Sequence, residues 1–422
     1  MRLGYRDSAA GHGGGVSEDF PSNDARALRP SALQPGPRPS AWIASPALDP
    51  RPLVFGLTGE ERLRRMLDRL GVTEVACGGP ALATRFHSGA PLAVLRSDAV
   101  YDERLVQALL EQRDLALLAE RTGPVVAVIL DGARAREGHR CLFGPQGGLP
   151  PDLKRVEPED LVAEYTAQLR KRQPATVCLI DPRQTRALEK SLFDASYKGV
   201  TDFVTKWLWP APALALTRAL ARAGIAPNAV TALSWLLVVL ASVAFMRGEH
   251  GLGLVAAWLM TFLDTVDGKL ARVTVRSSRV GHVLDHGLDL VHPPIWYLAF
   301  GASLVAAGPI WVPLTIQVSV AGYLIGRLLE GVFLLAFKFE IHSWRPVDSR
   351  FRLITARRNP NLALLTAGAL AGRPDLGLAA VAVWTVGSIL FHAARLAMAF
   401  GARHDGRLPT SWQESVAASG PA

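Results

Sequence analysis

The second half of the chain carries apolar runs too long and too closely spaced for a water-soluble fold. About six segments, at roughly 227–246, 251–272, 281–305, 310–337, 359–372 and 375–401, are candidates to cross a bilayer, the fifth being the shortest. Lipid offers no water to backbone N–H and C=O groups, so segments of this kind must be helical. The linkers after the second and fourth segments hold Arg276 and Arg279, then Arg345, Arg350, Arg352, Arg357 and Arg358; the others carry only Arg247 and Arg373. Positive charge gathers on the cytoplasmic side, which orients a multi-pass protein of the cytoplasmic (inner) membrane with both termini and any site at the even-numbered linkers in the cytoplasm.

The remainder has a different texture. Residues 1–50 are rich in Pro and Gly and read as a disordered leader; Met1 to Gly15 lacks the apolar core of a cleaved signal peptide. From 51 to 185, apolar runs at Val72–Ala76, Leu92–Leu95, Val125–Leu130 and Thr176–Ile180 alternate with helical patterns near Glu60–Leu70 and Asp102–Glu120, the mark of an α/β domain with a largely parallel sheet. Over 190–225, Lys198, Asp202 and Lys206 interleave with Tyr197, Phe203, Trp207 and Trp209, which suits a juxtamembrane amphipathic helix. Residues 226–402 then form the transmembrane domain and 403–422 a cytoplasmic tail. The expected fold class is mixed, an N-terminal α/β domain followed by an all-α six-helix transmembrane bundle. A formal charge of +9 sits mostly in basic stretches between apolar runs, which points to a membrane surface and not to nucleic acid. Cys77, Cys141 and Cys178 lack metal-ligand spacing.

Acidic side chains at the edge of those runs are the anomaly. The stretch LDTVDGKLARVTVRSSRVGHVLDHGLDL holds Asp264, Asp267, Asp285 and Asp289. A charge at the centre of a span costs roughly 2.5–3.5 kcal/mol, so these carboxylates bind something cationic or sit at the wet cytoplasmic end. Asp264, Asp267, Gly268 and Ala271 fall at i, i+3, i+4 and i+7 on one helix face, and Gly281, Asp285 and Asp289 do so at i, i+4 and i+8. A short linker makes the two helices antiparallel neighbours, so the four acids are expected around one small volume. Their repulsion calls for divalent cations, and all-oxygen donors favour Mg²⁺, Mn²⁺ or Ca²⁺, with room for two ions. Gly268, Ala271 and Gly281 leave a gap where a nucleotide can approach the backbone, and Lys269 and Arg272 stand beside it for phosphate. Such a site suits phosphoryl transfer.

Position for position, the stretch resembles the signature D-x2-D-G-x2-A-R-x8-G-x3-D-x3-D of the CDP-alcohol phosphatidyltransferase family, at Asp264, Asp267, Gly268, Ala271, Arg272, Gly281, Asp285 and Asp289. The resemblance covers roughly residues 190–402 and implies six transmembrane helices in a homodimer. It implies Asp264, Asp267 and Asp285 as principal ligands of Mg²⁺ (or Mn²⁺), and Asp289 as both a ligand of the second ion and the general base toward an acceptor hydroxyl. The donor's CMP half would lie against Gly268, Ala271 and Gly281, with Arg272 nearby. Ala226-Pro227-Asn228-Ala229-Val230-Thr231 resembles the family's Pro-Asn-x-x-Thr element, which adds Asn228 and Thr231 to the nucleotide side. Arg357 and Arg358 in the basic linker, and Arg327 inside the fourth span, are candidates to hold an acidic acceptor or a lipid phosphate. The implied reaction moves a phosphatidyl or phospho-alcohol group from a CDP-alcohol or CDP-diacylglycerol donor to a hydroxyl acceptor, a small polyol, a polyol phosphate or a lipid, releasing CMP, as in phospholipid or polar head-group synthesis, with membrane lipid as a further partner. His282, His286 and His292 are read as packed or interfacial.

Upstream, Arg51-Pro52-Leu53-Val54 and the stretch Leu63 to Val75 resemble a sugar-nucleotidyltransferase-type domain, and Leu95-Arg96-Ser97-Asp98 resembles the strand end bearing that family's metal-binding Asp. Fusions of this kind are known for enzymes making inositol phosphodiesters, so a bifunctional cytidylyltransferase and CDP-polyol transferase is the alternative. The Gly-rich loop that would precede Pro52 is replaced by the Pro-rich leader, and the first strand is missing from the pattern. The domain is therefore read as degenerate, with no catalytic role for Asp98. A cation-coupled transporter would need repeated halves with matching broken helices, and a non-catalytic membrane anchor would not need aligned aspartates.

Overall fold

The computed structural model describes residues 40–46, 52–120, 123–144, 149–276 and 279–414. Most of the expected leader and the end of the tail lie outside the described residues, as do the side chains of residues 279–286, 288 and 289.

The α/β domain is built on β1 (Ser40–Ala44), five residues buried on both faces. It lies between β2 (Val75–Gly78) and β3 (Pro91–Arg96), parallel to both, with Trp42 in register with Ala76 and Val94. This strand corrects the expectation that the first strand is lost and that the leader runs to residue 50. A run of four apolar residues, Ala41 to Ala44, after Ser40 shows no alternation, because both faces of the strand are covered. Further strands are β4 (Ala99–Tyr101), β5 (Leu115–Leu118), β6 (Val125–Asp131) and β7 (Lys154–Val156). The main sheet has the order β2-β1-β3-β6-β5-β7. It is largely parallel: β6 runs antiparallel to β3 and β5, and the other pairings are parallel. Helices α1 (Gly59–Arg69), α2 (Glu103–Leu110) and α3 (Ala135–Phe143) cover it. Thr58 Oγ1 caps α1 by accepting from the Glu61 N–H at 3.1 Å, and Leu63, Met66 and Leu67 turn its apolar stripe onto the sheet. A small hairpin of β8 (Tyr165–Thr166) and β9 (Lys171–Arg172) follows, and β10 (Val177–Leu179) pairs with β4.

The juxtamembrane stretch is not one amphipathic helix. It is α4 (Thr185–Ala195), a wide turn at Val204–Leu208, and α5 (Pro210–Arg222), with Pro210 starting a new helix where the expected one would have continued. Beyond it come α6 (Pro227–Met246), α7 (His250–Val273), α8 (Arg279–Val305), α9 (Val312–Phe337), α10 (Pro346–Phe351), α11 (Arg358–Leu370) and α12 (Pro374–His404). Each apolar segment read from the sequence coincides with one of these helices. Among the described residues, α6, α9 and α12 are long and apolar enough to cross a membrane. The 13 residues of α11 extend about 20 Å, short of a bilayer core of about 30 Å. Helix α6 packs against α7 and α8, α9 against α12, and α11 against α7 and α12. Phe245, Met260, Trp296, Phe300, Leu365 and Leu378 fill their shared core. Leu236, Leu240, Leu324, Leu328, Val383 and Leu390 face outward, exposed apolar side chains of the sort that lipid covers.

The two halves are joined by more than chain connectivity. Glu189 of α4 is 1% exposed and accepts from the Phe55 N–H at 3.0 Å and from Arg218 Nε at 2.8 Å. Val275, after α7, is buried in the α/β core, and Arg65 Nη1 donates to the Thr274 carbonyl at 2.8 Å.

Candidate active site

Helix α7 presents Asp264 and Asp267 one turn apart. Arg358 Nη2, at the start of α11, donates to Asp264 Oδ2 at 2.7 Å. Asp267 is buried, and its Oδ2 accepts from Thr231 Oγ1 at 2.7 Å, which brings the first turn of α6 to the site. Its Oδ1 is buried with no hydrogen-bond partner among the described residues. Leaving a buried acceptor unmade costs about 1–3 kcal/mol, more for a charged group, so this oxygen suits a cation. The donor set is all oxygen, as a hard divalent ion requires. Asn228, one turn before Thr231, lies on the exposed side of α6.

A methyl group added at Gly268 would meet only the Arg272 guanidinium, at 3.6 Å, so the surface there is open to a ligand. Ala271 is half-buried beside it. Lys269, expected to stand free for phosphate, is buried: its Nζ donates to the Ser196 carbonyl at 3.0 Å and lies 3.4 Å from the Tyr197 ring centroid. Arg272 Nε donates to the same carbonyl at 3.3 Å. Both basic residues thus tie α7 to the juxtamembrane stretch. Gly281, Asp285 and Asp289 belong to the first turns of α8, where side chains lie outside the described residues. His292, further along, is fully buried against Trp296 with ring centroids 4.6 Å apart, a packed residue as expected.

A second cluster lies where α9, the basic linker and α12 meet. Arg327 and Arg357 both pair with Glu330, and these three line a cavity together with Tyr323, Ser388 and His392. His392 is 2% exposed, and its Nε2 has no hydrogen-bond partner among the described residues. His342 Nε2 lies 3.2 Å from Glu330 Oε1; burial pushes its imidazole down to about 3 although Glu330 favours the charged form, so it is neutral at pH 7. Glu330, His342 and His392 bring potential ligand atoms within 4.8 Å of one another, yet two guanidiniums on Glu330 oppose a metal cation there. The cluster suits a polar or anionic ligand instead. Arg352 Nε and Nη1 are likewise buried without hydrogen-bond partners among the described residues. The sequence reading singled out Arg327, Arg357 and Arg358, took His342 and Arg352 only as part of the basic linker from His342 to Asn359, and missed His392. For His392 a signal was present, a polar side chain in the middle of an apolar span.

In the α/β domain, Asp98 is held by Arg96, whose Nε and Nη2 donate at 2.9 and 2.7 Å. Asp98 is thus paired within its own strand end, as Asp264 is paired with Arg358.

A sequence model of the CDP-alcohol phosphatidyltransferase family matches residues 224–347. The chain is similar to a phosphatidylinositol phosphate synthase of Mycobacteroides abscessus, 36% identical over 102 residues, which covers 22% of this chain and 46% of that protein. It is 39% identical over 111 residues to the Streptomyces avermitilis protein of the same name, covering 24% of this chain and 43% of that one. A bifunctional IPC transferase and DIPP synthase of Rubrobacter xylanophilus is 30% identical over 159 residues, covering 37% of this chain and 34% of that protein. The chain thus spans less than half the length of these curated relatives. The segment that matches the CDP-alcohol phosphatidyltransferase family model, residues 224–347, is the one that carries Asp264, Asp267 and Thr231.

Proposed function

We propose that the chain transfers a phosphatidyl or phospho-alcohol group from a CDP-activated donor to a hydroxyl of a phosphorylated polyol, releasing CMP. The observation that carries this reading is the pair of half-buried Asp264 and buried Asp267 inside a family-matched segment, with one Asp267 oxygen fixed by Thr231 and the other left for a cation. Names of two relatives, phosphatidylinositol phosphate synthase, favour an acceptor of the inositol phosphate kind. So does the cavity walled by Arg327 and Arg357. The fused α/β domain and the Rubrobacter relative favour a bifunctional enzyme, but the Pro-rich stretch that stands before Pro52 in place of a Gly-rich loop speaks against a working cytidylyltransferase.

In this reading the helical half is a six-span bundle, acting as a homodimer with its site at the cytoplasmic face. Asp264, Asp267, Asp285 and Asp289 hold two Mg²⁺ ions, which when bound neutralise the diphosphate and the departing phosphate. Gly268, Ala271 and Gly281 give the cytidine side room, with Asn228 and Arg272 at its edge. Arg327 and Arg357 orient the acceptor's phosphate, and Arg358, next to Arg357 in the chain, pairs with Asp264. Asp289 takes the acceptor hydroxyl's proton as that oxygen bonds to the β-phosphorus. The bond from this phosphorus to the bridging oxygen breaks, and CMP leaves with the electron pair.

Purified full-length protein with Mg²⁺, incubated with CDP-diacylglycerol or CDP-alcohols and a panel of polyols and polyol phosphates, is expected to release CMP and form a phosphodiester identifiable by mass. Asp289→Asn is expected to lower the rate by about 100-fold or more. Release of CMP that persists in that variant, or that no pairing supports above a metal-free control, overturns the reading.

A further inference from the structure

The acceptor-side cluster is held from outside the helical half. The β8–β9 hairpin belongs to the α/β domain, yet its turn reaches past the juxtamembrane stretch to the linker between α9 and α11. Arg170, at the tip, takes a left-handed backbone with φ +49° and pairs with Glu340 at the start of that linker. The Arg170 side chain is 12% exposed and that of Glu340 44%, so the pair is buried on the hairpin side and open to solvent on the linker side.

The tip is seated firmly. The Gly199 N–H donates to the Leu169 carbonyl at 2.7 Å, and a Cβ at Gly199 would lie 2.4 Å from the Arg170 carbonyl oxygen. Lys171 Nζ donates to the Ala195 and Asp194 carbonyls. At the hairpin's base, Arg104 Nη1 donates to Thr166 Oγ1 at 2.7 Å, which fixes it to α2.

A second route leads from the same hairpin. Tyr165 donates to Ser411 Oγ at 3.3 Å; its neighbour Trp412 donates through Nε1 to Ser349 Oγ at 3.0 Å. Ser349 Oγ donates to the His342 carbonyl at 2.8 Å, and the His342 ring meets Glu330, the shared partner of Arg327 and Arg357. Both routes end on the linker that carries Arg357.

We propose that Arg170 is a positioning residue: through Glu340 the α/β domain holds the basic linker in the register that sets Arg357 beside Arg327, across their shared Glu330, to meet the acceptor. The inference rests on the transferase reading above. It gives a domain with a clamped Asp98 a role in the membrane reaction, as a brace for acceptor binding.

The test uses full-length protein in detergent and two readouts, hydrogen exchange of the amides of residues 341–357 and the steady-state constants for CMP release. Arg170→Ala is expected to speed exchange in the linker while amides of β1 and β3 keep their protection, and to raise the acceptor's KM by roughly three- to fivefold with kcat and the donor's KM unchanged. Arg170→Lys restores part of the effect, and the exchange of charges in Arg170→Glu with Glu340→Arg restores most of it. Unchanged linker exchange in Arg170→Ala, or faster exchange with an unchanged acceptor KM, overturns the inference in an enzyme that is otherwise active. A wild-type protein that releases no CMP with any pairing sinks the transferase reading, and with it the catalytic half of this inference, whatever the exchange shows.

Discussion

Thr231 fixes one oxygen of Asp267, which in the proposed reaction would hold a Mg²⁺ ion, and a ligating carboxylate oriented by an outer hydrogen bond holds its ion more tightly than one left to rotate. Thr231→Val keeps the shape and removes the donor. The variant is expected to need roughly 10- to 100-fold more Mg²⁺ for half-maximal CMP release, with much of the rate recovered at saturating metal. An unchanged metal requirement would remove Asp267 from the ion's coordination. His342 gives a second test at this scale. Burial holds its imidazole at about 3, whereas in the unfolded chain it titrates near the usual value of about 6.5. The unfolded state therefore takes up the proton first, so the stability contributed by neutral His342 is full above about pH 6.5 and is lost as pH falls toward 3. Thermal unfolding midpoints in detergent should fall as pH drops below about 6.5, and His342→Gln should flatten that slope; parallel slopes would exclude the residue.

Among the elements, α11 and α12 cross where Gly368 and Gly377 stand back to back. A Cβ at Gly368 would lie 2.5 Å from the Gly377 Cα, a backbone contact that no rotamer relieves. Gly368→Val is expected to cost roughly 1–3 kcal/mol and to lower the unfolding midpoint in detergent; an unaltered midpoint would mean that the helices part there at little cost. The long helices were legible in the sequence because a span must be apolar along its whole length, and that pattern survives any arrangement of neighbours. Strand β1 was not, since five residues covered on both faces carry no period to read. The break between α4 and α5 was hidden as well: aromatic and charged residues interleave in the same way whether the stretch is one helix or two.

At the scale of the whole molecule, the turn after α7 is part of the α/β core. Val275 takes φ +52°, a backbone that β-branched residues rarely adopt, and is 4% exposed among that domain's apolar side chains. Val275→Asp is expected to separate the two halves, seen as faster proteolysis between them and a lower unfolding midpoint of the α/β domain. A variant with a single transition at the wild-type temperature would show that the joint is held by Glu189 and Arg65 without Val275. Composition and order along the chain determined that an α/β part precedes apolar helices, and the spacing of Asp264, Asp267 and Gly268 determined one acidic helix face, because local periodicity depends on neighbours in sequence. What Thr231, Arg358, Glu330 and Arg170 touch was decided only by the tertiary structure. Apart from Arg327, three residues from Glu330 on the same helix, their side-chain partners lie between 12 and 170 residues away, and a charged side chain's choice among several opposite charges depends on which of them the packed helices bring within hydrogen-bond reach.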